Sequence, residues 1–275
     1  DWGERSRKEM FLGSRMNTKG LRDYRSKKRG HWADRPSMRD HKSRIETFDY
    51  KLINGHVVLL MNRSQLILDT GSPMSCSENG EIVIFGRSRQ VPRDTLGLNA
   101  RELTRLVGEP VDGLIGMDLL MSYSVSIAPE LGKVTFSTGT IAGSRNSIAM
   151  RFLSGVPVVS AQIRGRTLKA VIDTSARVSY MPKHLFDGLD VIGEADDFYP
   201  GFGDFKTPLA SAGLELAGSA LQVAFGYLPD GLSQLTEMIG IEAIIGTQIL
   251  DSWDLAMDFP GASIGLNPRS EGIVQ

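Results

Sequence analysis

Two aspartates carry the chemistry this sequence could do. Asp69 follows Leu66-Ile67-Leu68 and opens Asp69-Thr70-Gly71-Ser72; Asp173 follows Ala170-Val171-Ile172 and opens Asp173-Thr174-Ser175-Ala176. An apolar, β-branched run ending in such a group reads as a buried strand that delivers a carboxylate to a turn. Two carboxylates held about 3 Å apart cannot both ionise, so they share one proton. The ionised member is then a general base toward water. The protonated member is a general acid toward a carbonyl oxygen or a leaving nitrogen. Hydrolysis of an amide by such a pair needs neither a metal nor a covalent intermediate. A lone aspartate at a strand end is ordinarily a turn former or a helix N-cap, and what lifts these two above that reading is the sequence around them.

Each motif has a matching block downstream. Asp112-Gly113-Leu114-Ile115-Gly116 answers Glu242-Ala243-Ile244-Ile245-Gly246. Beyond the blocks Leu120 aligns with Leu250, Ser122 with Ser252 and Tyr123 with Trp253, without a gap. Upstream, Leu103 to Gly108 resembles Leu235 to Gly240. Strand, Asp turn, short helix, glycine-ended strand and helix therefore occur twice in one order, an internal repeat with a pseudo-twofold relation. The first motif is led in by Tyr50 to Ile53, the Asn54-Gly55 hairpin signal and a return strand from His56.

The neighbours have physical tasks. A small residue after threonine, Gly71 or Ser175, lets the backbone pass close to a carboxylate that accepts N–H bonds. Thr70 and Thr174 need partners once buried, and the other half's turn is the symmetric solution. Leu114, Ile115, Ile244 and Ile245 are expected beneath the turns, with side chains lining substrate pockets. The halves differ between the Asp motif and the next matching phenylalanine, Phe85 or Phe225. The second half holds a longer insertion containing Tyr199-Pro200-Gly201-Phe202-Gly203. That Gly-rich aromatic loop fits a hairpin tip over a cleft, or an ordinary surface hairpin. Tyr123 and Trp253 are expected in the core, and Cys76 as an inert buried thiol.

This constellation resembles the aspartic peptidases, the family of pepsins and retroviral proteases, over about residues 48–266. The motif apolar-Asp-Thr-Gly with a later apolar-apolar-Gly is complete in the first half; in the second, Ser175 replaces the glycine. The resemblance implies a mainly β, bilobal fold of closed barrels with a few short helices, as if two retroviral-protease-sized protomers were fused in one chain. The implied lobes are 46–145 and 146–275. It further implies a monomeric endopeptidase without cofactor that cuts an extended protein or peptide beneath a flap. Ser72 follows the first motif and Ala176 the second; a hydroxyl donated to Asp69 would favour its charged form, so Asp69 is expected to be the more readily ionised. Ser175 also supports a competing reading, a weak or inactive module of the same fold that grips an extended segment by strand addition.

The 275 residues are 41 % hydrophobic and 7 % aromatic, which fits one large domain or two lobes. Four scattered histidines show no metal-ligand spacing, and no run approaches the length of a membrane span. One cysteine and no signal-peptide pattern point to the cytoplasm. Residues 1–44 hold 14 of the 31 Lys and Arg, including Lys27-Lys28-Arg29, and six acids. Residues 1–45 therefore read as a disordered basic tail, as sequence upstream of a start at Met16 or Met38, or as a prosegment lying on the acidic body. A nucleic-acid arm is the remaining and least specific reading of such a run.

Overall fold

The structure, a computed structural model, describes residues 43–61, 63–141 and 146–269. Residues 1–42 of the basic segment lie outside the described residues, and the first strand already begins at Ile45. The fold is mainly β: among the described residues there are four short α-helices against twenty strands.

Strands Ile45–Ile53, His56–Met61 and Ser64–Leu68 form an antiparallel meander that runs into Asp69. Its first turn is set by Asn54-Gly55, both at positive φ (47° and 80°), the two-residue geometry that matches strand twist. The meander's last strand pairs in parallel with Gly113–Ile115, with Leu68 opposite Ile115. The second half repeats the construction. Strands Val156–Ile163 and Arg166–Ile172 lead into Asp173, and Ala243–Ile245 pairs in parallel with the latter, with Ile172 opposite Ile245.

Ten strands form one sheet and eight another. The ten-stranded sheet crosses the 145/146 division: Asn146–Ala149, Trp253–Asp258 and Ser263–Pro268 pair with first-half strands through Ser124–Ala128. One large apolar cluster runs through both halves and includes Phe136, Tyr123, Phe225 and Trp253, all buried. Burying that surface is the main term holding the halves together. A smaller cluster, around Ile67, Leu103 and Leu114, belongs to the first half, and another, around Tyr180 and Leu232, to the second.

No helix among the described residues is long and apolar enough to cross a membrane.

Candidate active site

The two Asp turns are built by the same set of bonds. Asp69 N–H donates to the Ile115 carbonyl (3.0 Å) and Asp173 N–H to that of Ile245 (2.9 Å). Gly116 N–H donates to Ser75 Oγ (2.8 Å) and Gly246 N–H to Ser179 Oγ (3.0 Å). Asp112 Oδ2 accepts from Gln65 N–H, and Glu242 Oε2 from Lys169 N–H, which explains the acid opening each downstream block. The block-ending glycines are required by close approach to the turns: a Cβ on Gly116 would lie 2.6 Å from the Met74 carbonyl, and one on Gly246 2.4 Å from that of Ala176.

Thr70 and Thr174 tie the turns to each other. Thr70 Oγ1 donates to the Ile172 carbonyl and Thr174 Oγ1 to the Leu68 carbonyl, both at 2.6 Å. In return Thr70 N–H donates to Thr174 Oγ1 (3.1 Å) and Thr174 N–H to Thr70 Oγ1 (3.0 Å). Both threonines are buried. Every donor and acceptor in this crossed set is used, which fixes the two carboxylates relative to one another.

Asp69 and Asp173 lie on the wall of a single cleft of ≈ 580 Å³, together with Gly71, Ser72, Ser175 and Ala176. The carboxylates are not equivalent. Asp173 Oδ1 accepts from Ser175 N–H (2.9 Å), Ser175 Oγ (2.8 Å) and Ala176 N–H (3.1 Å). Asp69 Oδ1 accepts from Ser72 N–H (2.8 Å). Burial raises both carboxyls above the ordinary carboxylate range, and the Asp173 charge raises Asp69 further, to about 7. The donors of Ser175 and Ala176 oppose that rise at Asp173, and the Ser175 hydroxyl with the N–H groups of Ser72 and Gly71 opposes it at Asp69. Three bonds converge on Asp173 Oδ1 against one on Asp69 Oδ1, and the Asp173 charge acts on Asp69, which makes Asp173 the more readily ionised member, the reverse of the expectation from Ser72. The reason is local: Ser72 Oγ turns away and donates to the Met74 carbonyl at 2.8 Å, the short-range bond that serine prefers in turns.

Gly71 and Ser175 also part company. A Cβ on Gly71 would fall 2.2 Å from Asp173 Oδ2, so that position must be glycine for contact reasons. Ser175 has no positive φ among the described residues and uses its side chain as a ligand of the dyad.

The insertion forms a long hairpin, Val191–Tyr199 with Gly203–Leu216. Its tip closes by Phe202 N–H to the Tyr199 carbonyl, with Gly201 and Gly203 at φ 78° and 99°. Tyr199 and Phe198 face the cleft; burial and the charges of Asp173 and Asp69 raise the Tyr199 phenol. Phe202 instead stacks edge-on against Phe205 and is half exposed, and neither it nor the tip glycines reach the cleft wall. The hairpin spans both halves. Phe198 packs on the first-half cluster under the Arg105 guanidinium, 5.5 Å from the ring centroid, while Tyr199 and Phe205 pack on the second-half cluster. Of the four apolar residues expected to line pockets, Ile244 reaches the cleft wall; Leu114, Ile115 and Ile245 are sealed in the core beneath it. Cys76 is buried and free, its thiol pushed up to about 11 by burial.

Several cleft residues carry no signature in the chain: His56 at the meander's first turn, Arg177 four residues after Asp173, and the helix Ala100–Val107 that supplies Leu103 and Arg105. Arg177 was findable as a charged residue within the second Asp loop. His56 was not, because its place at the dyad depends on the first half's hairpin meeting the second half's loop. No group of three His, Cys, Asp or Glu among the described residues could hold a metal ion.

No protein-family model matches the sequence, and no curated protein sequence matches it. The structure is similar to the crystal structure of an aspartic proteinase from Irpex lacteus, with a TM-score of 0.47, 11 % identity, and 84 % of this chain and 99 % of that one covered. It is also similar, over 32 % of this chain and 86 % of the other, to the solution structure of simian foamy virus (mac) protease, with a TM-score of 0.25 and 15 % identity. The fold is aspartic-protease-like. That statement stands on the chain's own construction: two strand-turn-strand units of one topology, each ending in an Asp-Thr with its threonine buried, joined by the crossed threonines.

Proposed function

We propose that the chain is an aspartic endopeptidase in which Asp69 and Asp173 act as one catalytic dyad on an extended protein or peptide. The observation that carries this reading is the pair of carboxyls on one cleft wall, Asp69 buried and Asp173 half-buried, both raised, with unequal hydrogen bonds. Unequal environments are what divide acid from base. Asp173, ionised, takes a proton from a water whose oxygen bonds to the scissile carbonyl carbon. Asp69, protonated, gives its proton to the carbonyl oxygen, forming a neutral tetrahedral diol. As the C–N bond breaks, the proton on Asp173 passes to the nitrogen and a diol hydroxyl returns its proton to Asp69. The hairpin from Val191 serves as the flap, excluding water above the dyad. The reading includes lobes at 46–145 and 146–275 and a monomer, since one chain supplies both carboxylates.

The test is digestion of a denatured protein by the wild type, Asp69→Asn and Asp173→Asn, with a statine-containing peptide as transition-state mimic. Cleavage by the wild type, blocked by the mimic and lost in both variants, is expected; cleavage that survives both substitutions rejects the dyad.

One observation favours a second reading. The Ser175 hydroxyl donates to Asp173 and bears on Asp69 as well, in the space where a reacting water would sit. A serine in that role makes the cleft a binding module for an extended segment. An inert parent that Ser175→Gly converts into a peptidase supports it; an active parent rejects it.

A further inference from the structure

The two places where one half's turn meets the other half's Asp loop differ in charge. At one, the Asn54-Gly55 turn meets the second Asp loop, where a Cβ on Gly55 would lie 2.2 Å from the Arg177 Cβ. At the corresponding place in the other half Gly155 meets Pro73, with 3.2 Å to its Cβ. The residues after the two glycines are His56 and Val156. Arg177, His56 and Pro73 line the cleft, whereas Val156, the counterpart of His56, is buried in the core off its wall.

The charge of Arg177 is uncommitted. Its Nη2 donates to the Asp196 main-chain carbonyl on the flap strand. Among the described residues, no carboxylate oxygen lies within 4.0 Å of its guanidinium. Arg105, the other guanidinium on the cleft wall, is paired with Glu102 (2.6 Å) and Asp204 (3.7 Å). Of the acids on that strand, Asp196 Oδ1 lies 3.2 Å from Lys206 Nζ, and Asp197 accepts the Tyr180 hydroxyl, a neutral donor, and is the one competing carboxylate on the wall near Arg177. A guanidinium with donors left in its fork, on the wall of a partly enclosed cleft, matches a carboxylate in shape and charge.

His56 stands beside Arg177 on the same wall. Its Nδ1 is sealed from solvent and its ring is lowered by burial, so Arg177 is the group at this place that can meet a carboxylate.

We infer that this part of the cleft is a subsite for an acidic side chain, aspartate or glutamate, of the bound peptide, with Arg177 pairing the carboxylate. The inference rests on the peptidase reading of the same cleft and adds a substrate class to it: peptides with an acidic side chain on one side of the cut bond.

The test uses uncleavable octapeptides with a reduced central amide, each carrying glutamate, glutamine or lysine at one position in turn. Their Kd values are measured by calorimetry at pH 7, beside cleavage of the matching amides. At one position on one side of the central bond, glutamate should bind about tenfold or more tightly than glutamine, the range for a charge-assisted pair. Arg177→Gln should bring that ratio to about one, and Arg177→Lys should keep it above one. If Arg177→Gln does not fold, the wild-type ratio and Arg177→Lys decide. A ratio near one at every position, a preference for lysine drawn by Asp197, or a ratio unmoved by Arg177→Gln overturns the inference. Selective binding without cleavage overturns the peptidase reading and keeps the subsite; no binding by any octapeptide overturns both.

Discussion

The Asp69 and Asp173 turns share their strands, their threonines and their glycine-ended partners, and differ in what faces the carboxylates. On the Asp69 side Gly71 withdraws, because anything larger would overlap Asp173. On the Asp173 side Ser175 advances and donates through both its N–H and its hydroxyl. The first turn therefore makes room for its neighbour, and the second stabilises its own charge most directly while its hydroxyl also bears on Asp69. A repeat places two carboxyls symmetrically, yet acid–base work needs them unequal; the difference at Gly71 and Ser175 supplies that inequality without disturbing the frame.

The shared part can be broken first, with the largest effect. Thr174→Val removes the donor to Leu68 and the acceptor of Thr70 N–H, leaving two buried backbone groups unpaired. A loss of about 2–4 kcal/mol is expected, read as a melting temperature lower by about 5–15 °C. Thr70→Val should cost the same within error, since its bonds mirror those of Thr174. Unequal costs would show that the frame itself is asymmetric.

The unequal part shows in how stability follows pH. Asp69 is raised in the folded state from 3.8 to about 7. The folded chain therefore holds this proton more tightly than the unfolded one. The associated stability is complete below about pH 4 and is lost as pH rises through about 7. Asp69→Asn, which keeps an acceptor for Ser72 N–H, removes that loss. By calorimetry the variant should melt a few degrees above wild type at pH 8, with the gap closing at pH 4. A gap that does not change with pH contradicts the placement of the proton.

Ser175→Ala sharpens the comparison by the smallest step. Without the hydroxyl the charged form of Asp173 loses a donor, so the acidic limb of the pH–rate profile should move up by about one pH unit. Ser72→Ala should leave that limb in place, because Ser72 Oγ serves the Met74 carbonyl. A shift with Ser72→Ala and none with Ser175→Ala would restore the assignment that the sequence suggests.

The dyad, its threonines and the downstream blocks were legible because they are local and repeated: strand patterning and small residues at fixed offsets describe each half by itself. The direction of the Ser72 hydroxyl was not, since a carbonyl two residues away competes with the carboxylate. Leu114 and Ile245 are apolar residues on three-residue strands, and such a pattern does not say which side chains meet a cleft and which the core. The long hairpin was legible from its Gly-rich aromatic tip, but the tip's Phe202 turns to Phe205 while Phe198, unremarked in the chain, reaches across to the first half. His56 and Arg177 become neighbours through the packing of one half's hairpin against the other's loop, which no periodicity records.

The central claim is that these two turns form one hydrolytic site. Mass-spectrometric profiling of a peptide library from pH 4 to 8, with wild type, Asp69→Asn and Asp173→Asn side by side, tests it most directly. The account predicts cuts by the wild type that weaken as pH rises past about 7, where Asp69 loses its proton, and none by either variant beyond about a thousandth of the wild-type rate. Cuts of equal rate in an Asn variant, or an intact library with wild type at every pH, would contradict it.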